Sequence, residues 1–151
     1  MMNAGDLQQY LHRHIPITSA MAITVTAASI DAVELRAALA PNLNHRSTAF
    51  GGSVASLAVL AGWSLLRLGL DDVTPMPQIV VQRSTIEYIA PIAADFDAVC
   101  RRPSGQTWQR FMQAFTRRGR GRLRLEVDIR CEGAEVGHLT GEFVAERVRA
   151  R

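Results

Sequence analysis

The chain has 151 residues, which fits one domain, residues 1–151, with a substantial core. Its net charge is +3, all 17 basic residues are arginine, and 48% of its residues are hydrophobic, which excludes a disordered chain. Two cysteines, Cys100 and Cys131, are too few for a disulfide framework, so we expect reduced core thiols in a cytoplasmic protein. We also expect no signal peptide, because the first twenty residues lack a continuous apolar run.

Three helices and six strands are predicted from the pattern of apolar residues and turn residues. The predicted helices are one from Asp6, as its cap, to His14, one from Ser53 to Leu68, and one that Ser104 caps and Gly119 ends. The predicted strands are Met21–Ala28, Ala32–Leu39, Ile79–Ile89, Asp95–Arg101, Arg122–Cys131 and Val136–Glu146. The histidines lack metal-ligand spacing, and we predict no metal site.

The helix from Ser53 to Leu68 is apolar on nearly every face, so it must be buried on every face. Ser56 and Ser64 interrupt its apolar run and Arg67 ends it, which leaves it short of the ~18 apolar residues that a membrane span needs. The elements that can cover this helix are the predicted strands. The sequence therefore predicts an α+β fold in which an antiparallel sheet surrounds one long helix, with no membrane association.

Gly51 and Gly52 stand where a polar loop meets this helix. The first N–H groups of a helix have no internal partner, and the positive end of the helix dipole lies there. Glycine leaves the approach to those groups open, so the pair could hold a developing oxyanion. The alternative is that the two glycines serve only a tight turn.

The segment "NHRSTAFGGSVASLA" and the order of elements resemble the hotdog-fold acyl-CoA thioesterases. In the phenylacetate-degradation type of that superfamily, an Asn precedes His-Gly-Gly, and here Asn44 and Phe50-Gly51-Gly52 occupy those positions. The stretches "TAFGGS", "LAGW" and "WQRFMQAFTRRG" more closely resemble the YiiD C-terminal type. The resemblance implies a hotdog fold with an extra helix between the late strands. It also implies a homodimer, or a tetramer, with sites at the subunit interface.

The sequence departs from the phenylacetate-degradation type at two positions. Val59 stands where that type has its catalytic carboxylate, and Phe50 replaces its histidine. The resemblance therefore implies hydrolysis of an acyl thioester without the expected base. The alternative function is non-catalytic binding of acyl-CoA or of an acyl carrier protein.

Several side chains are candidates for orienting water, for acting as the base or for contacting the substrate. Asn44 can orient a water molecule. His45 has a suitable intrinsic pKa for a base, and the alternative is a solvent-exposed loop histidine with no catalytic role. Glu87 either reaches the site of a neighbouring subunit or pairs with Arg83. Ser53 either contacts the substrate, as Phe50 would, or caps the helix.

Eight arginines and no acidic residue lie between Ala98 and Leu125. In a thioesterase, Arg118 and Arg120 would pair with the phosphates of coenzyme A, the carrier half of the substrate, and no other cofactor is expected. The alternatives are a solvated basic face and, as the weakest, nucleic-acid binding, which the helical spacing of the nearby aromatic residues disfavours.

Overall fold

The computed structural model describes residues 1–149 of the chain. Within them, six strands form one antiparallel sheet in the order β1-β2-β4-β5-β6-β3, which confirms the α+β class. The helices are α1 (Ala4–His14), α2 (Ile17–Ala20), α3 (Gly51–Gly69) and α4 (Gly105–Arg118), with a 3₁₀ turn at Ala40–Asn42. The strands are β1 (Ile23–Ala28), β2 (Ala32–Ala37), β3 (Gln78–Tyr88), β4 (Phe96–Arg101), β5 (Arg120–Cys131) and β6 (Ala134–Glu146).

Helix α3 lies against the inner face of the sheet and forms the centre of the core. Leu57 and Leu66 are fully buried there. A Cβ on Gly62 would lie 2.6 Å from the ring of Phe143, so glycine at this position permits the close approach of helix and sheet. By length and composition α3 also fits a membrane span, but 61% of its most apolar window is buried inside the fold. The core position explains its apolar character.

The two edges of the sheet differ in how they are covered. Helix α1 lies along β1, where the Gln8 side-chain oxygen accepts from the Val25 N–H at 3.0 Å and His12 Nε2 lies 2.8 Å from the Ile23 carbonyl oxygen. Both side chains thus satisfy backbone groups that an edge strand leaves unpaired. On the opposite side β3 pairs only with β6, so its outer edge has no cover in the described chain.

The helix starts differ from the sequence predictions in two places. Asn3, not Asp6, caps α1; Asp6 is the third helical residue and completes a reciprocal capping box with Asn3. Ser53 does not cap α3, which begins two residues earlier than predicted, because the Ser53 and Val54 N–H groups both donate to the Phe50 carbonyl oxygen. The predicted cap and end of α4, Ser104 and Gly119, are confirmed.

Both cysteines are free and buried, as predicted. Burial, with a smaller contribution from the carboxylate of Asp128, raises the pKa of Cys100 to about 12. The thiol is therefore protonated at neutral pH, and since only the thiolate is strongly nucleophilic, Cys100 does not serve as a nucleophile.

Candidate functional site

The candidate site lies at the head of α3, where two backbone amides are unpartnered. Phe50 is the N-cap residue, with extended backbone and no side-chain cap. Its carbonyl oxygen accepts from the Ser53 and Val54 N–H groups at 3.0 and 3.1 Å. Among residues 1–149, the N–H groups of Gly51 and Gly52 donate to no acceptor. Two donors at the positive end of a 19-residue helix are thus free to meet an oxygen from outside.

Two aromatic rings flank these amides. A Cβ on Gly52 would lie 2.4 Å from the Phe50 ring, and one on Gly51 would lie 3.3 Å from the Tyr88 hydroxyl. The Tyr88 hydroxyl also donates to the Gly51 carbonyl oxygen at 2.9 Å. A side chain at Gly52 would therefore force the Phe50 ring to move, whereas a Cβ at Gly51 would need only a small shift of Tyr88. Sequence analysis missed Tyr88; its only signal was an aromatic residue in the family-like stretch "TIEYIAP".

The side chain of Asn44 is fully engaged in its own loop. Its Oδ1 accepts from the N–H groups of Arg46 and Thr48 at 2.8 and 3.1 Å. Its Nδ2 donates to Thr48 Oγ1 at 2.8 Å and to the Ala49 carbonyl oxygen at 3.4 Å. An asparagine side chain offers two donors and two acceptor sites, and all four are used. In this conformation Asn44 holds the loop before α3 and has no hydrogen-bonding capacity left to orient water.

An open cavity of about 310 Å³ lies beside the loop that precedes α3. It is lined by Asn44, Thr48, Ala49, Val54 and residues 88–92. Its walls are mainly aliphatic, with the aromatic residue Tyr88 among them. Tyr88 both lines this cavity and contacts Gly51, so the mainly apolar cavity and the free amides have this residue as a common neighbour, an arrangement that suits a polar carbonyl attached to an apolar group.

Two predicted catalytic residues, His45 and Glu87, do not line this cavity within one protomer, and neither does Val59, where the expected carboxylate is missing. His45 is exposed on the loop, and no hydrogen bond of its ring occurs within residues 1–149. Val59 lies eight residues beyond Gly51, roughly 12 Å along the helix. Glu87 projects from the outer face of the sheet, because it is paired with His138 while its neighbours Ile86 and Tyr88 face inward. It forms no ion pair with Arg83 in the described part of the chain.

Arg118 and Arg120 lie at the far end of the sheet. Arg120 pairs in register with Glu146, which pairs with Gln78 at the start of β3. Tyr88 at the other end of β3 marks the candidate site. Ten residue steps separate the two ends, or roughly 33 Å of strand. Both arginines are exposed, and neither forms an ion pair within residues 1–149, so they are available to an anion but not close to Gly51 of their own protomer.

A larger cavity, about 510 Å³, lies on the outer face of the sheet. Its charged groups are largely paired with one another: Arg101 with Asp128 at 3.4 Å, and His138 Nδ1 with Asp128 at 3.1 Å. Despite its size we do not assign the site here, because the free amides lie on the other face of the sheet.

The side chains of Asp128, Glu135 and His138 lie close enough together to contact one cation, so the predicted absence of metal stays a prediction.

The architecture, a six-stranded antiparallel sheet around one long helix with free amides at its head, is that of the hotdog-fold proteins. Comparison with family models gives a match over residues 4–147 to a family described as "Putative thioesterase (yiiD_Cterm)". The chain therefore belongs to the YiiD C-terminal family, as its sequence motifs indicated.

Solved structures agree with this assignment. A protein of unknown function from Chlorobaculum tepidum is 28% identical, with a TM-score of 0.89 over 96% of this chain and 94% of its own. A protein from Shewanella oneidensis, described as a putative thioesterase, is 26% identical, with a TM-score of 0.83 over 95% of this chain and 96% of its own. The phenylacetic acid degradation protein PaaI of Thermus thermophilus, at 19% identity and a TM-score of 0.64 over 88% of this chain and 99% of its own, shares the fold.

Proposed function

We propose that the protein hydrolyses an acyl thioester, with the N–H groups of Gly51 and Gly52 as the oxyanion site. The observation that carries this proposal is the pair of unpartnered amides at the head of α3, beside a cavity, in a chain of a thioesterase family. Preorganised donors aimed at developing negative charge are commonly the largest single contribution to catalysis of acyl transfer.

The chemistry follows from what these groups can do. A water oxygen adds to the thioester carbon, and the carbonyl oxygen, now negative, accepts hydrogen bonds from the Gly51 and Gly52 amides. A base takes the proton of the water. When the tetrahedral intermediate collapses, the carbon–sulfur bond breaks and the thiolate leaves and is protonated, giving a carboxylic acid and a free thiol.

The groups near the cavity are poorly suited to act as the general base that takes a proton from water. The Thr48 hydroxyl oxygen accepts from Asn44, which leaves its own proton free to donate, and the Tyr88 oxygen can accept a hydrogen bond from water. No carboxylate or imidazole lines the cavity within residues 1–149. In our proposal the base is therefore a side chain of a second protomer or hydroxide from solvent.

We further propose that β3 is where two copies associate. Its outer edge is uncovered, and Val80 and Val81 on it are 45% and 38% exposed, whereas β1 is covered by α1.

In a twofold dimer the two β3 strands run antiparallel. The start of the partner's strand then lies beside Tyr88, and with it the basic end of the partner's sheet. Arg118 and Arg120 would serve the site of the other protomer. A tetramer of such dimers is the alternative assembly.

For these arginines we expect the double substitution Arg118→Ala, Arg120→Ala to weaken binding of a coenzyme A thioester more than binding of the matching pantetheine thioester. Only the coenzyme carries the phosphates that a guanidinium group would contact. Titration calorimetry with both ligands measures the difference, and Arg13→Ala on α1 is the control for loss of one exposed arginine. Equal losses for both ligands would remove the phosphate contact from the proposal.

The proposed function is tested by measuring thiol release from a panel of acyl-CoA thioesters beside binding of the same panel. We expect both binding and release. Binding without release would instead favour a non-catalytic acyl-thioester binding protein. That second function is supported by Val59, which stands where a carboxylate would be expected, and by the absence of a base along the described cavity.

A further inference from the structure

We propose that Asp128, Glu135 and His138 bind one divalent transition-metal ion, of which Zn²⁺ is the type, on the outer face of the sheet. This site lies on the other face from the free amides of α3, so the inference is independent of the proposed thioester hydrolysis. It differs from the expectation drawn from the spacing of the histidines, because the three ligands come from two strands that only the pairing of β5 with β6 brings together.

Strand pairing collects the three side chains in one place. His138 lies directly opposite Asp128 in the register of β5 with β6. Glu135 is three residues before His138, a separation that normally places two side chains on opposite faces of a strand. A register shift at Ile129 and Arg130 adds one residue to β6 and returns Glu135 to the face of His138, 3.9 Å from its Nδ1. Bulges of this kind often redirect a side chain beside a functional site.

The distances between the candidate ligand atoms suit one small ion. Ligand atoms about 2.1 Å from a tetrahedral zinc ion lie roughly 3.4 Å from one another. His138 Nδ1 is 3.1 Å from Asp128 Oδ1 and 3.9 Å from Glu135 Oε1, and the ligand atoms of the three residues all lie within 4.8 Å of one another. Small movements of the side chains would therefore close these three groups around an ion.

The imidazole of His138 is bordered by hydrogen-bond acceptors on both of its nitrogens. Nδ1 faces Asp128 and Glu135, and Nε2 lies 3.7 Å from Glu126 Oε1. A neutral imidazole has one N–H donor and one bare nitrogen, whereas carboxylates only accept. With the proton on Nε2, directed at Glu126 as metal-bound histidines commonly direct theirs at a carboxylate, the bare Nδ1 faces two carboxylates. A cation between these three groups makes that arrangement favourable. The nitrogen ligand favours Zn²⁺ over Mg²⁺ and Ca²⁺, which prefer oxygen.

Negative charge around His138 exceeds the positive charge that balances it. Glu87 on β3 is also in register with His138, so carboxylates from three strands border the ring. Among residues 1–149, Arg101 is the only arginine that forms an ion pair with any of them, at 3.4 Å from Asp128 Oδ2. This contact orients the carboxylate and leaves Oδ1 directed at His138. A divalent cation would offset much of the remaining charge.

The cavity of about 510 Å³ on the outer face gives an ion access to this site. Asp128 and His138 both line the cavity, and each side chain is 31% exposed. Three protein ligands leave one position of a tetrahedral ion for water or an exchangeable ligand. The structure thus combines an imidazole and two carboxylates on the wall of an open cavity, rather than an acidic patch alone.

Titration calorimetry with Zn²⁺, on the full chain without an affinity tag and after treatment with EDTA, tests the site. We expect one ion per protomer with a dissociation constant below about 10 µM, and binding of Mg²⁺ weaker by at least about tenfold. His138→Gln and Asp128→Asn keep the approximate size of each side chain and should each weaken Zn²⁺ binding at least about tenfold. The matched control is His14→Gln, which removes an exposed histidine of α1 and should leave the affinity unchanged.

Nuclear magnetic resonance of the histidine side chains gives a readout that loss of folding does not mimic. In long-range ¹H–¹⁵N spectra, Zn²⁺ should shift the Nδ1 resonance of His138 while the proton stays on Nε2. Absence of saturable Zn²⁺ binding below about 100 µM, wild-type affinity in His138→Gln, or Mg²⁺ bound as tightly as Zn²⁺ would overturn the metal site. Loss of affinity in His14→Gln would also overturn it, because the ion would then lie at α1. These measurements do not involve thiol release, so their failure leaves the proposed hydrolysis intact.

Discussion

Gly51→Val should lower thioester hydrolysis by about 10²–10³, the loss seen when one oxyanion donor is removed from an enzyme that hydrolyses acyl groups. A backbone donor cannot be deleted by substitution, but it can be obstructed. A Cβ at this position would already lie 3.3 Å from the Tyr88 hydroxyl, and the two methyl groups of valine extend further. They would displace Tyr88 from the Gly51 carbonyl oxygen and cover the approach to the free amide.

The chain offers a matched control for this substitution. Gly105 is the first residue of α4, as Gly51 is the first of α3, and a Cβ on Gly105 meets no atom within 4 Å. Gly105→Val thus makes the same change in intrinsic helix propensity away from the site. The measurement is thiol release at saturating acyl-CoA, with circular dichroism to confirm folding of both variants. Wild-type turnover in a folded Gly51→Val protein would contradict the oxyanion role of this amide.

The sequence was sufficient to predict the long buried helix, the strands around it and the glycine pair at its head. Each of these depends on a local pattern: continuous apolar character for α3, strict alternation for β5, and Gly-Gly at a boundary between polar and apolar residues. The hydrogen bonds of Asn44 were not predictable, because they depend on the conformation of the loop, in which Ser47 adopts a positive φ of 61°.

The orientation of Glu87 shows why alternation alone can mislead. Counting by twos from the buried Ile79 places Glu87 on the inner face of β3. A register shift between Val81 and Arg83 inserts one extra residue against β6 and reverses the phase, so that Tyr88 faces α3 instead. A bulge of this kind depends on pairing with residues about sixty positions later in the chain, so no local sequence pattern predicts it.

The distance of Arg118 and Arg120 from the candidate site also depends on strand register. The run of arginines is conspicuous in the sequence, but its distance from Gly51 depends on the register of β5 with β6 and of β6 with β3. Only those pairings place the arginines and the glycines at opposite ends of the sheet. A dimer through β3 would bring the two ends together, so the arginine hypothesis and the dimer hypothesis now depend on each other.

That dependence makes the edge of β3 the most informative surface to alter. The double substitution Val80→Glu, Val81→Glu is expected to raise the dimer dissociation constant by at least about 10², equivalent to roughly 2.7 kcal/mol. Charged residues on an edge strand oppose pairing with another strand, and a twofold axis brings the like charges of both copies close together. Because the two valines are 45% and 38% exposed, the monomer should remain folded.

The control is Ile30→Glu, which adds a charge at a residue 40% exposed in the turn between β1 and β2, away from β3. Sedimentation velocity over a range of concentrations measures the dissociation constant, and thiol release is followed in the same samples. If each site needs the partner's residues, turnover per protomer should fall with the dimer fraction and recover as protein concentration rises. A wild-type protein that is monomeric at micromolar concentration would exclude both the β3 dimer and the contribution of the partner's arginines. A monomeric variant that keeps full activity would exclude only the contribution of the partner's residues. The oxyanion site within one protomer would then have to account for the chemistry alone.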